Sequence, residues 1–282
     1  MVRGVLVSAL LSLAVFAHQG LAQRSHHEQI DMYFGDWRAS SPRVTHGTLQ
    51  QRDILTRGDA LNPSQKGGVL RFANSYSFAT LAPSASTKSI KLDGQQEIFF
   101  IASGRGTATA GGETAALYKN IVILMPANLE FTLMNTGGEP LTMYVINEPI
   151  PAGFRPNSKM LVKDENALPI TASSNFWSHI AKSIFTVADG LGTLEAVLTV
   201  TLDPMTIYQP HLVSQDDIEE IWSSLEGNSI AFLGAELRRQ VPGVAYIHPP
   251  DAKTPHSNIN YSEDEQIKFL YFARYHPHNV RP

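Results

Sequence analysis

The chain has 282 residues, a formal net charge of −4 and no cysteine. That length suits one large or two small domains, and a composition 43% hydrophobic but only 17% charged excludes a disordered tail protein. The absence of a basic excess excludes nucleic acid as a partner. Without cysteine there is no disulfide, lipoprotein anchor or thiolate ligand, so a metal would have to be held by histidine, carboxylate or amide groups.

Residues 1–22 read as a signal peptide. Arg3 precedes an apolar run from Val5 to Ala17, and Gly20-Leu21-Ala22 supplies small residues for cleavage before Gln23. The apolar run is too short for a transmembrane helix, which needs about 20 residues. The expectation is a periplasmic or secreted protein with no stable membrane insertion after cleavage. Residues 23–68 are polar and punctuated, and predict an irregular arm with one or two short strands, packed on the body through Tyr33, Phe34 and Trp37.

From 69 to 150 short apolar runs alternate with turn signals, as in Ile98 to Ala102, Ile121 to Met125 and Leu141 to Ile146. Strands of this length and spacing predict an all-β barrel or sandwich. Thr107 to Gly112 predicts a strand entering a tight hairpin; a phosphate loop would need a following Gly-Lys-Ser/Thr and a helix, which are missing. Residues 151–190, with Pro151, Pro156 and Pro169, predict a linker and a short helical segment around Trp177 and Ile184. Strands resume over 191–276, and the tail from His276 is polar.

The two strand regions repeat one layout. Glu97 is followed by six residues and Gly104, and Glu220 by six residues and Gly227. Asn120 and Gly243 each stand sixteen residues after those glycines and open apolar strands that end in Pro126 and in Pro249-Pro250. Phe131 lies four residues before Asn135, and His256 four before Asn260. Four anchors in the same order argue for an internal duplication.

This layout resembles the cupin superfamily, whose motifs read G-x5-H-x-H-x3,4-E-x6-G and G-x5-P-x-G-x2-H-x3-N. Two copies in one chain resemble a bicupin, over about Ser75 to Tyr275. The resemblance implies two tandem β-barrels of the double-stranded β-helix or jelly-roll type, each with a site inside. It also implies three histidines and a glutamate on one divalent ion: iron, manganese, nickel, copper or zinc.

The first copy keeps only Glu97 and has Phe131 in the histidine position, so it is expected to be structural or to take an apolar or sugar-like ligand. In the second copy His256 fits its place, one residue further from Pro250 than the pattern asks. Counting forward from Met205 leads to His211 and then Val213; counting back from Glu220 leads to Gln215. The expected set is His211, Glu220 and His256, with Gln215 as a weak ligand or a hydrogen-bonder to substrate, and with Trp222 and Asn260 at the substrate pocket. Each lone histidine also has the bland reading of a packed or surface residue. Glu219 should face away from Glu220, into solvent or a salt bridge. His26, His27, His46, His179, His248, His276 and His278 have no motif partner and read as surface or structural, although His248 lies near the metal-site strand.

The resemblance implies a metal-dependent enzyme of oxygenase type acting on a small organic molecule. The alternatives are a non-catalytic binding or structural protein with a relic site, and a metal-dependent sugar-acid isomerase or lyase. A small-molecule substrate and a homo-oligomer are the partners expected. No G-x-S-x-G elbow is present, adjacent carboxylates do not make a glycosidase pair, and no general base stands out.

Overall fold

The computed structural model of the protein describes residues 26–171, 178, 180–213 and 218–275. The predicted signal peptide, Trp177, His179, Gln215, His276 and His278 lie outside the described residues. The fold is all-β, in two barrels. The large sheet of the first runs Leu161–Asp164, Ile121–Met125, Gln95–Ser103, Leu141–Pro149, Ser75–Leu81, Leu49–Arg57 and Arg43–Thr45, with Gly68–Leu70 paired to the side of Leu49–Arg57. Its small sheet runs Ile90–Lys91, Glu130–Asn135, Gly106–Ala110 and Glu113–Leu117. In the second barrel the large sheet runs Phe34–Asp36, Val244–Ile247, Glu219–Glu226, Ile267–Arg274, Ala196–Leu202 and Ile180–Thr186. Its small sheet runs Thr206–Ile207, His256–Asn260, Ser229–Leu233 and Glu236–Gln240.

The central strands are apolar at nearly every position because both faces of each large sheet are covered. Side chains alternate between the faces. Phe99, Ile101, Ile123 and Met125 fill the first barrel with Phe131 and Leu133. Their neighbours Ile98, Phe100, Val122 and Leu124 instead share a core with Ile221, Ala245, Ile247, Leu270 and Phe272 of the second barrel. Each such side chain contributes roughly 1.5–3 kcal/mol when fully buried, so the seam between the barrels is a core in its own right. Inside the second barrel lie Trp222, Tyr246, Phe269 and Tyr271.

Glu219 corrects an expectation. It faces away from Glu220, but into this seam rather than into solvent or a salt bridge. It is buried, and its carboxylate accepts the backbone N–H groups of Arg71, Phe72 and Ala73 at 2.6, 3.1 and 2.9 Å. Glu148 of the first barrel does the reciprocal job, accepting the N–H groups of Gly192, Thr193 and Leu194. Each barrel thus caps a buried chain turn of the other.

The arm is more regular than expected. Phe34–Asp36 adds an edge strand to the second barrel, while Arg43–Thr45 and the nine-residue Leu49–Arg57 belong to the sheet of the first. Phe34 stacks on Tyr246, and Trp37 on Phe78. The segment 151–190 is also corrected. Leu161–Asp164 and Ile180–Thr186 extend the two large sheets, and its described helical turns are the three-residue 3-10 turns Glu165–Ala167 and Val187–Asp189. Thr107 to Gly112 is a hairpin: Gly111 and Gly112 both adopt positive φ, 56° and 81°, as a tight two-residue turn requires.

Candidate metal centre

Strand pairing assembles the site. His211 and His256 form an antiparallel bridge, each donating its backbone N–H to the other's carbonyl, at 3.3 and 3.0 Å. Glu220 projects inward from Glu219–Glu226, and the N–H of His248, just past Val244–Ile247, donates to the Glu220 carbonyl. One ligand atom from each of His211, Glu220, His248 and His256 lies within 4.8 Å of the other three. His248 therefore joins the group, although the sequence placed it among the surface or structural histidines.

The contacts have the scale of a ligand shell. His256 Nε2 and His211 Nε2 are 2.9 Å apart, His248 Nδ1 and Glu220 Oε2 3.1 Å, and His211 Nε2 and Glu220 Oε2 3.9 Å. Donors about 2.0–2.1 Å from a tetrahedral ion stand ~3.3 Å from each other. His211 Nδ1 donates to the Gln209 carbonyl at 3.0 Å, which leaves the Nε2 lone pair facing the cluster. His248 and His256 are fully buried, their rings stack at 3.3 Å, and His248 Nε2 and His256 Nδ1 have no hydrogen-bond partner among the described residues. The donor set fits a divalent transition ion.

Electrostatics supports the fit. Burial holds the His248 imidazole down to about 4, against the opposing pull of Glu220. Burial and the neighbouring His248 and His211 hold His256 well below the usual histidine range. Burial pushes Glu220 up, but the neighbouring His211 and His248 outweigh it and hold the carboxyl at about 2. Near neutrality the site thus presents the neutral imidazoles of His248 and His256 and the Glu220 carboxylate. A histidine whose folded pKa lies below its unfolded value stabilises the fold above the unfolded pKa, and this stability is lost as pH falls toward the folded one. The metal-free protein should therefore lose about 2 kcal/mol from His248 alone on going from pH 7 to pH 5. Denaturant melts at the two pH values check this, and equal midpoints would refute it.

Trp222 is buried against the cluster, stacked toward His248 at 6.0 Å and tilted on Tyr208, which meets His211 edge-on. Asn260, expected at the pocket, is corrected. Its side-chain amide nitrogen reaches the carbonyls of Leu202, Asp203 and Glu265, and its oxygen accepts the Ser262 N–H. Asn135 clasps Leu81, Glu139 and Gly137 in the same way in the first barrel. These asparagines hold loops closed, so Asn260→Ala should cost ~2 kcal/mol in chemical unfolding; an unchanged midpoint would return Asn260 to the pocket.

The first barrel shows the same framework without the ligands. Ile90 pairs with Phe131 where His211 bridges to His256, and Met125 pairs with Glu97 where His248 meets Glu220. Glu97 is not left alone. His46, which the sequence reading placed on the surface or in a structural role, enters from the arm, and its Nε2 meets Glu97 Oε2 at 2.9 Å; Asn147 donates to Oε1 at 3.0 Å. His46 and Gly47 both adopt left-handed backbone, φ 51° and 81°, which points the tip of the arm hairpin into the barrel. A cavity of about 320 Å³, lined in part by Gln51, Asn74, Gln95 and Leu92, opens on this pair.

The signal that could have found His248 is the duplication itself. His248 and Met125 each stand immediately before the proline that closes the strand. Tyr246 and His248 share the inward face, with Ile247 turned to the seam.

Residues 77–147 match a sequence-family model described as Cupin domain. No curated protein matches the chain by sequence. Among solved structures, AerE from Microcystis aeruginosa is similar at 15% identity, over 87% of this chain and all of that one, with a TM-score of 0.64. The 7S globulin of Momordica charantia is 13% identical over 86% of this chain and 84% of its own, with a TM-score of 0.63. A point mutant of Bacillus subtilis oxalate decarboxylase is 9% identical over 86% of this chain and 77% of its own, with a TM-score of 0.62. Residues 77–147 thus match a cupin domain model, and the likenesses to solved structures, at 9–15% identity, show the fold that the two barrels share with them.

Proposed function

We propose that the second barrel holds one divalent transition ion through His211, Glu220, His248 and His256, and that the protein is a metal-dependent enzyme of oxygenase type acting on a small organic substrate. The observation that carries this reading is the convergence of four ligand atoms within 4.8 Å, two of the imidazoles being wholly buried. Iron, manganese, nickel, copper and zinc all suit three imidazoles and a carboxylate. A bound ion would supply Lewis acidity and a coordination position for substrate. The chain's own residues hold His248 and His256 neutral, keep Glu220 ionised and wall the inner side with Trp222 and Tyr208.

The test is turnover of a panel of small organic acids by metal-loaded protein, followed by oxygen uptake and product chromatography. Turnover that His256→Ala abolishes supports the enzyme; product without oxygen uptake points instead to an isomerase or lyase. Bound metal with no turnover favours the second reading, a binding protein, which the apolar residues Ile90, Met125 and Phe131 of the first barrel recommend. The same proposal places the mature protein in the periplasm or outside the cell after removal of residues 1–22, and as a homo-oligomer. Light scattering giving the mass of one chain would reject the oligomer, and an unprocessed N-terminus on the exported protein would reject the cleavage.

A further inference from the structure

The strand row that carries Glu220 in the second barrel has a polar counterpart in the first. Glu220 pairs across the ladder with Ala273, and Ala273 with Ala196. The same row in the first barrel reads Glu97, Asn147 and Ser75. Directly paired residues present their side chains on one face, about 4.5–5.5 Å apart. A carboxylate, an amide and a hydroxyl therefore stand side by side where the second barrel has a carboxylate and two methyl groups. Gln95, two residues before Glu97, shares that face. All four line the cavity of about 320 Å³ in the first barrel.

Hydrogen bonds fix this wall and leave capacity to spare. Asn74 donates to Gln95 Oε1 and Asn147 Oδ1 at 3.3 and 2.7 Å, and accepts from Arg57 Nη2 at 2.8 Å. Asn147 in turn donates to Glu97 Oε1, and His46 Nε2 meets Glu97 Oε2. A carboxylate has about four acceptor positions and a side-chain amide two donors. Glu97 thus keeps half of its positions, Asn147 keeps one N–H, and Gln95 keeps its NH₂ group.

His46 is held at this wall in a costly conformation. A left-handed φ of 51° in a residue with a side chain persists only where the surroundings impose it. Here the Lys88 N–H donates to the His46 carbonyl at 2.9 Å, and Thr48 Oγ1 donates to the Ser86 carbonyl at 2.7 Å, which clamps the hairpin tip. The His46 side chain is 6% exposed, yet its Nδ1 has no hydrogen-bond partner among the described residues. A histidine that served packing alone would have its buried nitrogens satisfied.

The lining selects the occupant. Only Ile90 and Leu92 of the eleven lining residues are apolar, so an apolar molecule would bury the amides without partners. The lining charges are already matched, Glu97 by His46 and Arg43 by Asp53, each at 2.9 Å. An anion would meet Glu97, and a cation would meet Arg43. A hydroxyl both donates and accepts, and so serves the Gln95 amide and the Glu97 carboxylate alike. The volume lies near the lower end of small-molecule pockets, ~300 Å³, which suits a cyclic polyol or a monosaccharide.

We propose that the first barrel is a binding site for a small uncharged polyol, held by Glu97, Asn147 and Gln95, with His46 fixing the Glu97 carboxylate. This does not rest on the metal reading of the second barrel.

Ile90 lines the cavity, so its δ1-methyl group is a local reporter of occupancy. The test follows the isoleucine methyl NMR spectrum of the full mature chain, with the Ile90 signal identified by its loss in Ile90→Val. The chain is titrated with myo-inositol, with the anion gluconate and with the cation glucosamine. myo-Inositol should shift the Ile90 signal saturably at millimolar concentration. It should bind about tenfold tighter than either charged molecule, whose charge the site leaves without a partner. Glu97→Gln should weaken myo-inositol about tenfold, the worth of one hydrogen bond to a charged acceptor. Gln95→Ala, at a half-buried residue, should weaken it about threefold and carries the test if Glu97→Gln fails to fold. An Ile90 signal that none of myo-inositol, glucose and erythritol moves would overturn the proposal. So would tighter binding of gluconate or glucosamine than of myo-inositol, or binding as tight in both variants as in the wild type.

Discussion

Mature protein incubated with divalent first-row ions and then desalted should retain about one ion per chain, and His256→Ala should lower the affinity by at least about 100-fold. Changes to residues that merely orient ligands already cost 10–100-fold, and His256 offers its Nε2 to the cluster directly, 2.9 Å from that of His211. His248→Ala separates two roles for the histidine that sequence reasoning set aside. If it only steadies Glu220 through its 3.1 Å contact, the loss should stay within 10–100-fold. If it is a ligand, the loss should equal that of His256→Ala. Glu97→Gln in the first barrel should leave the stoichiometry unchanged, because Ile90, Met125 and Phe131 occupy the other three places there. Inductively coupled plasma analysis of desalted samples reads all four proteins. A wild type that stays metal-free after exposure to iron, manganese, nickel, copper and zinc would sink the metal reading, and two ions per chain would sink the account of the first barrel.

The all-β duplicated architecture was legible because apolar runs, turn residues and four repeated anchors are local properties of the chain. Glu220 and His256 were legible for the same reason: each sits at a fixed spacing from a glycine, a proline or an asparagine. His248 was not, because its role depends on which face of a strand it occupies and on the residue beside it across the ladder. Counting along the chain gives neither. Counted forward past His211 the missing ligand falls on Val213, and counted back from Glu220 on Gln215. Val213 is buried and its carbonyl accepts the Ala252 N–H, and Gln215 lies outside the described residues. His46 and Glu219 were misjudged through long-range pairing. His46 meets a carboxylate 51 residues away and Glu219 holds backbone 146 to 148 residues away, contacts that leave no periodic trace in sequence. Asn260 was misjudged in the opposite sense, since its place in a family motif suggested a ligand contact where the side chain closes a loop.

Glu219→Ala should lower unfolding stability by ~3–5 kcal/mol, the range for removing one partner of a buried charged interaction. Glu219 is 1% exposed, and its removal strands the buried Ala73 N–H and the half-buried N–H groups of Arg71 and Phe72 at once. Each unsatisfied donor costs about 1–3 kcal/mol, less whatever water the new space admits. Farther along the same strand the hydroxyls of Tyr76 and Ser223 bond across the seam and stay in place in this variant. Glu219→Gln keeps one acceptor oxygen and the side-chain volume, so it should cost less than alanine. Glu148→Ala is the matched control from the other barrel, stranding the N–H groups of Gly192, Thr193 and Leu194. The double variant tells whether the two caps act separately. Additive losses mean two independent braces on one seam; a double loss no larger than either single loss means that freeing one turn already lets the barrels part. Guanidinium unfolding followed by tryptophan fluorescence measures these differences, with Trp222 reporting on the second barrel. A Glu219→Ala midpoint within about 0.5 kcal/mol of the wild type, on the order of an ordinary surface substitution, would show that the seam is held by its apolar core alone.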